Sequence, residues 1–451
     1  MTIFREEFGA KAANLAAIQP AIRELDASNV VGGIEIPKFE VVSVDLYENW
    51  LKREITGADI WELFNKAQSL SSISGGVMVR SSAVLGEDGE ASMGAGVYES
   101  VRLMPGFSPL DFYAALSKVY ESTSSIEAIT YLEQLGIQPQ DERMGVLLQT
   151  HPNEVEANYT IDSQLAGNAN LISIRADDLR LTEDMFDSYG ELQHAKIGQA
   201  VVDKEKIAVL RQVPPYAHHS AYRDFYHVVP DIRKFREGSA PIALAKTAIF
   251  LESEVGSSVQ IEAVTTRNRE RVEQRGFNKL WVVQERPLAT NATISRSFEG
   301  FPEGKDILYD GRGVGVVNGV VAQIQDKISS YVFSPERTPQ DLASLAEDEM
   351  CLFVFKESFA KSGTADRLTY FLLQLAPELR KKVVILVRDS SEMTSNGANS
   401  GGHFETMCLE LGIPCIFYDP TSDELDKMYP LDPKNKVRIY SDGYKARVYA
   451  G

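Results

Sequence analysis

The sequence predicts a two-domain protein of mixed α/β (α+β) class. Three observations carry this. The chain runs to 451 residues, beyond what one hydrophobic core usually fills. Strand-like runs such as "KVVILVRD" (382–389) occur between stretches of helical period such as 110–135. Residues 289–306, "ATNATISRSFEGFPEGKD", lose all periodicity and gather Gly, Pro, Ser and Asn, as an inter-domain linker does. No long apolar stripe is present there to fix the segment against either side. The expected division is one domain at 1–288, the linker at 289–306 and a second domain at 307–451.

The elements follow in order. "GAKAANLAAIQ" (9–19) reads as a Gly-led helix start, and "VVGGIEIPKFEVVSVDLYENWL" (30–51) as a strand followed by a helix. Val77 to Val79 form a short buried-strand run that ends in Arg80-Ser81-Ser82. A loop rich in Gly, Ser and acid follows, then a second strand near Val97 to Leu103. "MGVLLQT" (144–150), "NYTIDS" (158–163) and "NLISIRA" (170–176) alternate as strands do. Residues 241–255 read as a helix, and "SSVQIEAV" and "KLWVVQERPL" as a strand pair joined by a charged hairpin. Beyond the linker, "GVGVVNGVVAQIQ" (313–325) reads as a Gly-punctuated strand hairpin. "MCLFVFKE", "KVVILVRD" and "KVRIYSDGYKARVYAG" complete a mixed sheet with helices between.

Composition narrows the function. Hydrophobic content of 44% and charged content of 24% are those of a globular protein. A net charge of −18 repels nucleic-acid phosphates and anionic lipid, which excludes a general polyanion-binding role but leaves room for a local basic pocket that holds a nucleotide. The three cysteines, Cys351, Cys408 and Cys415, form no CxxC, so a reducing compartment is expected. The first residues carry charge early and do not read as a signal peptide, and no run of eighteen apolar residues exists to span a bilayer. A cytoplasmic location is the expectation.

One of the six histidines stands in an informative place. In "SNGANSGGHFETMCLELGIP" (395–414), Phe404, Met407, Cys408 and Leu411 sit at i, i+3, i+4 and i+7, one apolar stripe on a helix. Gly412 stands where a left-handed cap belongs, and Pro414 prevents continuation. His403 therefore opens a helix. The positive end of the macrodipole keeps its ring neutral and nucleophilic, and would stabilise a phosphoryl group placed on it. Gly401 and Gly402 leave space for a bulky ligand. A surface histidine at a frayed helix start accounts equally well for these residue types. His151, His194, His218, His219 and His227 have no Cys or acid cluster at ligand spacing, and read as surface or loop residues.

The N-terminal half holds a second set of candidates. Lys11 puts an ammonium near a Gly-led helix start. Arg80 ends a strand and opens the loop "GEDGEASMGAG" (86–96), whose backbone N–H groups can close over phosphates. Glu262 lies on one candidate strand, Gln284 and Arg286 on the next. A carboxylate and a carboxamide on neighbouring strands can chelate Mg²⁺ between phosphate oxygens. Taken singly, each has a plainer reading as a solvated lysine, a strand end or an edge strand.

"HFETMCLELGIPCIFYD" resembles the phosphohistidine segment of the phosphoenolpyruvate synthase and pyruvate phosphate dikinase family, and "GVGVVNGVVAQ" resembles the hairpin that opens that family's mobile histidine domain. "GAKAANLAAI", "VMVRSSAVLGEDGEASMGAGVYES" and "LWVVQERPL" resemble the family's ATP-grasp segments. The resemblance implies an ATP-grasp nucleotide-binding domain followed by a smaller β/α phosphohistidine swivelling domain, without the family's phosphoenolpyruvate-binding barrel. It implies that Lys11, Arg80, Glu262, Gln284 and Arg286 contact ATP, that Glu262 and Gln284 hold Mg²⁺, and that His403 is the catalytic phosphate carrier. The expected activity is an ATP-dependent, dikinase-type phosphotransferase that phosphorylates its own His403. It would pass phosphate to an unidentified small molecule or to an acceptor on a partner subunit. A catalytically weakened relative serving as a nucleotide-binding subunit or sensor, and an ATP-grasp ligase, are the alternatives. The sequence departs from the family in three places. Gln260 stands where the family has Asp, no threonine precedes His403, and the central "GLGE" stretch has no counterpart in the divergent segment at about 155–240.

Overall fold

A computed structural model describes residues 2–28, 33–72, 74–88, 96–153, 155–164, 170–176, 199–204, 240–266, 279–288, 300–302, 307–325, 337–346, 349–355, 371–388, 407–408, 411–418, 436–442 and 445–450. The chain divides into two compact units, the first Met1–Gln164 with Asn170–Ala289 and the second mainly Thr290–Gly451.

The first unit opens with helices α1 (Thr2–Phe8) and α2 (Ala10–Ala27). Strands β1 (Ile34–Glu35) and β2 (Phe39–Val42) follow, then helices α3 (Val44–Lys52) and α4 (Gly57–Ser71). The one strand expected ahead of the helix within 30–51 is two strands in different sheets. Pro37 lies between them and has no N–H to give a continuous ladder. Next come β3 (Val77–Ala83), β4 (Ser100–Leu103), α5 (Pro109–Glu121), α6 (Ile126–Gln134) and β5 (Met144–Thr150). Capping boxes start two of the helices: Thr56 with Asp59 at α4, and Ser108 with Asp111 at α5, where Pro109 adds its fixed φ. Strands β2, β5, β3 and β4 form a four-stranded antiparallel sheet in that order.

The second sheet of this unit comprises β6 (Val155–Asp162), β7 (Leu171–Ala176), β8 (Gln199–Asp203), β9 (Val259–Thr266) and β10 (Lys279–Pro287), with β1 at one edge. Its order is β1-β10-β9-β6-β7-β8, antiparallel except for β1 beside β10. Helix α7 (Ala240–Val255) precedes β9. Leu15, Ile18, Ile22 and Leu25 of α2, with Leu244, Ala248 and Leu251 of α7, pack against Ile161, Ile261, Leu280 and Val282 of this sheet. Each such Leu or Ile contributes about 1.5–3 kcal/mol through its removal from water. That packing fixes where α2, and with it Lys11, can stand.

The second unit contains β11 (Ile307–Val314), β12 (Val316–Gln325), α8 (Arg337–Ser344), β13 (Glu349–Phe355), the short helix α9 (Pro377–Arg380), β14 (Val383–Arg388), β15 (Cys415–Tyr418), β16 (Lys436–Asp442) and β17 (Lys445–Ala450). The strands close into a barrel of order β11-β15-β14-β13-β12-β16-β17. Its middle four strands, β12 to β15, are parallel, which accounts for the solid apolar "VVILV" of β14. The hairpin expected at 313–325 does not form. Strands β11 and β12 are joined by Gly315 alone, at φ +81°, and each pairs with other strands. One residue is too short for a two-residue hairpin turn, so the chain bends sharply and the strands part. Within the expected linker, Phe301 and Pro302 are held to β17. Tyr449 donates from its hydroxyl to Pro302 O at 3.3 Å, and the Arg447 guanidinium lies 4.9 Å from the Phe301 ring centre. The rest of 289–306, Gly300 apart, lies outside the described residues.

His403 also lies outside the described residues. The end of its segment is described. Met407 and Cys408 are helical and buried, Gly412 has φ +66°, and Ile413 N–H donates to Cys408 O at 2.8 Å, the long bond of a Schellman cap. Cys351, Cys408 and Cys415 are buried and are not disulfide-bonded. Among the described residues no helix is long and apolar enough to cross a membrane.

Candidate functional site

The first unit gathers its buried charge in one place. Strand β3 does not end at Arg80 but runs on to Ala83, because residues 80–83 pair with 144–147 of β5. Arg80 is therefore mid-strand and held rigidly. Lys11 arrives from α2. Gly9, at φ +79°, precedes that helix, and a Cβ on it would collide with the Ser82 carbonyl. Ala12 N–H donates to Ser82 Oγ at 3.1 Å, so a strand side chain caps the helix start. Glycine at position 9 is what lets the helix end approach the strand closely.

The second sheet contributes two rows of residues across its strands. Asp162, Gln260 and Arg286 stand side by side on β6, β9 and β10, with Thr160, Glu262 and Gln284 in the next row. A bulge lies between Val282 and Gln284. It releases the Val283 carbonyl from the ladder, and this oxygen accepts from Arg80 Nη1 at 3.0 Å and from Gln149 Nε2 at 3.1 Å. Arg80 also donates to Gln149 Oε1 at 3.0 Å and to Gln284 Oε1, and stands 3.6 Å from Glu262. Arg286 donates to Gln260 Oε1 through Nε at 2.7 Å and stands 3.6 Å from Asp88 and 3.7 Å from Glu262. The five residues singled out by sequence in this half thus converge on one network.

Sequence reasoning missed the acids that complete it. Lys11 donates to Glu87 Oε1 and, at 3.3 Å, to Ser81 Oγ. Asp88 accepts from Gln284 Nε2 at 2.8 Å and is fully buried at φ +46°, a left-handed conformation. The turn carrying Glu87 and Asp88 is braced by Glu142. That carboxylate accepts from the N–H groups of Val84 (3.0 Å), Leu85 (3.0 Å) and Gly86 (2.6 Å) and from the Tyr98 hydroxyl (3.0 Å). Three successive N–H groups converging on one anion form a nest. The signal available was the adjacent pair Glu87-Asp88 within a Gly-rich stretch. Glu142 carries no local signal, since it meets the turn only through the fold.

Burial dominates the electrostatics. It pulls the Lys11 ammonium down to about 7, against the opposing pull of Asp88 and helped by Arg80 and Arg286. It pushes the Glu285 carboxyl up to about 8, with Asp88 adding to the rise and Arg286 opposing it. The Asp88 carboxyl is raised for the same reason, with Lys11 and Arg286 opposing. With Glu285 holding its proton at pH 7, Glu87, Asp88 and Glu262 face Lys11, Arg80 and Arg286, a set close to neutrality.

Oxygen donors suited to a hard cation lie in the network: Glu262, and Asp88, whose Oδ1 is buried without a hydrogen bond. Gln284 has its carboxamide oxygen on Arg80 and its NH₂ on Asp88. Gln260 is bonded at both ends too, accepting from Arg286 and donating to Asp162 at 2.6 Å. Among the described residues no group of three or more His, Cys, Asp or Glu stands at metal-holding spacing. A partial set of this kind fits Mg²⁺, which takes one or two carboxylates and completes its shell with phosphate oxygens and water.

Comparison with known proteins bears on this half of the chain. The family described as pyruvate phosphate dikinase, AMP/ATP-binding domain, matches residues 54–298. Arg80, Glu262, Gln284 and Arg286 fall inside that match, and Lys11 and residues 307–451 fall outside it. No curated protein matches the chain. Among solved structures, ATP citrate lyase from Methanosaeta concilii in complex with (3S)-citryl-CoA is 13% identical, with 95% of this chain and 100% of that chain covered and a TM-score of 0.25. ATP citrate lyase from Methanothrix soehngenii in complex with citrate and coenzyme A is 14% identical, with 94% and 98% covered and a TM-score of 0.23. Scores of that size say nothing about this fold or its chemistry. The family match covers more than half of the chain, so the chain belongs to the family of the pyruvate phosphate dikinase AMP/ATP-binding domain and is implied to use ATP.

Proposed function

We propose that the chain is an ATP-dependent phosphotransferase of dikinase type, with its nucleotide site in the network around Arg80. The observation that carries this is the convergence of Lys11, Arg80, Glu262, Gln284 and Arg286 from one helix and two sheets onto one buried cluster. In this reading residues 1–288 form an ATP-grasp-type domain whose two sheets hold the triphosphate between them. Lys11, Arg80 and Arg286 take the phosphate oxygens. The cluster is close to neutral as it stands, so a triphosphate needs a cation to enter with it. Glu262, with Asp88 and Gln284 beside it, would hold Mg²⁺, which would screen the charge that develops on the transferring phosphoryl group. Arg80, fixed at mid-strand and by the Val283 carbonyl, orients that group without moving.

His403 is the proposed acceptor, in a domain over residues 307–451. Its segment ends in the Gly412 cap that the helix reading requires. The neutral imidazole attacks the β-phosphorus of ATP, the bond between that phosphorus and the oxygen bridging to the α-phosphate breaks, AMP leaves, and the ring then passes phosphate to a small molecule, or to an acceptor on a partner subunit. One observation favours the alternative of a nucleotide-binding subunit without transfer. Gln260 replaces an acid of the family pattern and is fully engaged by Arg286 and Asp162. Product analysis separates the two. Purified chain with Mg-ATP and candidate acceptors yields AMP under the dikinase reading, ADP under the ligase reading, and neither if the chain only binds nucleotide.

A further inference from the structure

The site that is to receive phosphate already has an anion on its lysine. Glu87 is 1% exposed, and its carboxylate takes three donors: the Lys11 ammonium, the Ser81 hydroxyl at 3.0 Å and the Ala83 N–H at 2.9 Å. These are the kinds of donor that bind a phosphate oxygen. The backbone beneath this side chain is held independently. Arg5 donates to Val84 O at 3.1 Å and to Glu87 O at 3.3 Å, and Glu142 takes the N–H groups of residues 84–86. Gly86 is tied into that brace, since a Cβ there would stand 2.5 Å from the Tyr98 hydroxyl and 2.7 Å from Glu142 Oε2. The turn therefore keeps these bonds, and loses only the one from Ala83 N–H, when the Glu87 side chain turns away from Lys11.

We propose that Glu87 is a specificity-determining residue of the nucleotide site: a displaceable internal anion that holds Lys11 in place of a phosphate oxygen and so sets the preference for triphosphate over monophosphate nucleotides. This rests on the nucleotide-site reading above. A ligand that takes Lys11 must replace the three donors' bonds to Glu87 and leave that carboxylate without them. A triphosphate offsets the loss because its remaining phosphates reach Arg80 and Arg286 at the same time. A monophosphate meets one cation and gains little by the exchange. Selectivity then comes from competition with a built-in rival, in addition to contacts with the right ligand.

The test is titration calorimetry of the full-length chain with ATP and with AMP, each with Mg²⁺, for wild type, Glu87→Gln and Ser81→Ala. Glu87→Gln keeps the shape and removes the charge. AMP affinity is expected to rise about tenfold, the size of one charge-assisted bond released by the competitor, and the ATP-to-AMP preference to narrow. Ser81→Ala removes one donor from Glu87 and is expected to shift the preference in the same direction by less, which keeps the inference testable should Glu87→Gln fail to fold. Weaker binding of both nucleotides would make Glu87 an orienting partner of Lys11 and overturn the proposal. An unchanged preference, with ATP bound by wild type, would overturn it alone. Absence of ATP binding by wild type would overturn the site reading and this inference together.

Discussion

Arg80 on β3 donates to the carboxamide oxygen of Gln284 on β10, and with the bonds of Arg80 and Gln149 to the Val283 carbonyl this contact joins the four-stranded sheet to the six-stranded one. Both residues are buried, and Gln284 passes the link on to Asp88 at 2.8 Å. In the proposed function this junction is the floor of the nucleotide site. Ligand arriving there meets groups that already satisfy one another, and binding becomes an exchange of partners.

Gln260→Asp tests that exchange at the metal side. The substitution removes the NH₂ group that Asp162 accepts from and sets two carboxylates beside each other, with the Arg286 guanidinium facing position 260. Without divalent cation the variant should lose roughly 5 °C or more in Tm, for a loss of about 2 kcal/mol. Added Mg²⁺ should restore most of it by bridging the pair. Thermal melts with and without Mg²⁺ check this. A variant as stable as wild type in chelator would show that Asp162 does not depend on Gln260.

Glu285 predicts a pH dependence. Its folded pKa of about 8 lies above the ordinary 4.5, so the folded chain holds a proton that the unfolded chain gives up. That contribution to stability is complete below pH 4.5 and is lost as pH rises through about 8. Lys11 acts in the opposite sense and elsewhere. Its folded pKa of about 7 lies below 10.5, so its contribution rises between pH 7 and 10.5. Glu285→Gln should remove the Glu285 part alone, flattening stability between pH 5 and 8 by up to about 1.4 kcal/mol per pH unit, one proton's worth. Urea denaturation across that range is the measurement. Parallel curves for variant and wild type would mean that Glu285 ionises as freely folded as unfolded.

The histidine reading makes its own prediction. ATP labelled at the β-phosphate should leave an acid-labile, base-stable label on the chain, and His403→Ala should abolish it with ATP binding intact. Equal labelling of the variant would remove His403 from the mechanism.

Local chemistry made much of the fold legible. The Gly-led start of α2, the strand runs of β5 and β9 and the Gly412 stop are each written in a few adjacent residues. What could not be read depends on partners far away in the chain. The division of 34–42 between two sheets is set by which strand each half meets. The separation of β11 from β12 follows from barrel closure. The site divides the same way. Lys11, Arg80, Glu262, Gln284 and Arg286 stood in recognisable short segments. Glu142 acts on residues more than fifty positions earlier, and the bulge that frees the Val283 carbonyl shows only once β10 has paired with β9.

The most direct test of the central claim is calorimetric titration of Mg-ATP into the wild-type chain and into Arg80→Ala. Arg80 touches both sheets, so losing one charge-assisted phosphate contact in a buried site should weaken ATP by about tenfold or more. A saturable wild-type isotherm that Arg80→Ala weakens to that degree is the predicted result. An Arg80→Ala chain that remains folded and binds Mg-ATP as tightly as wild type would place the nucleotide elsewhere and contradict the account.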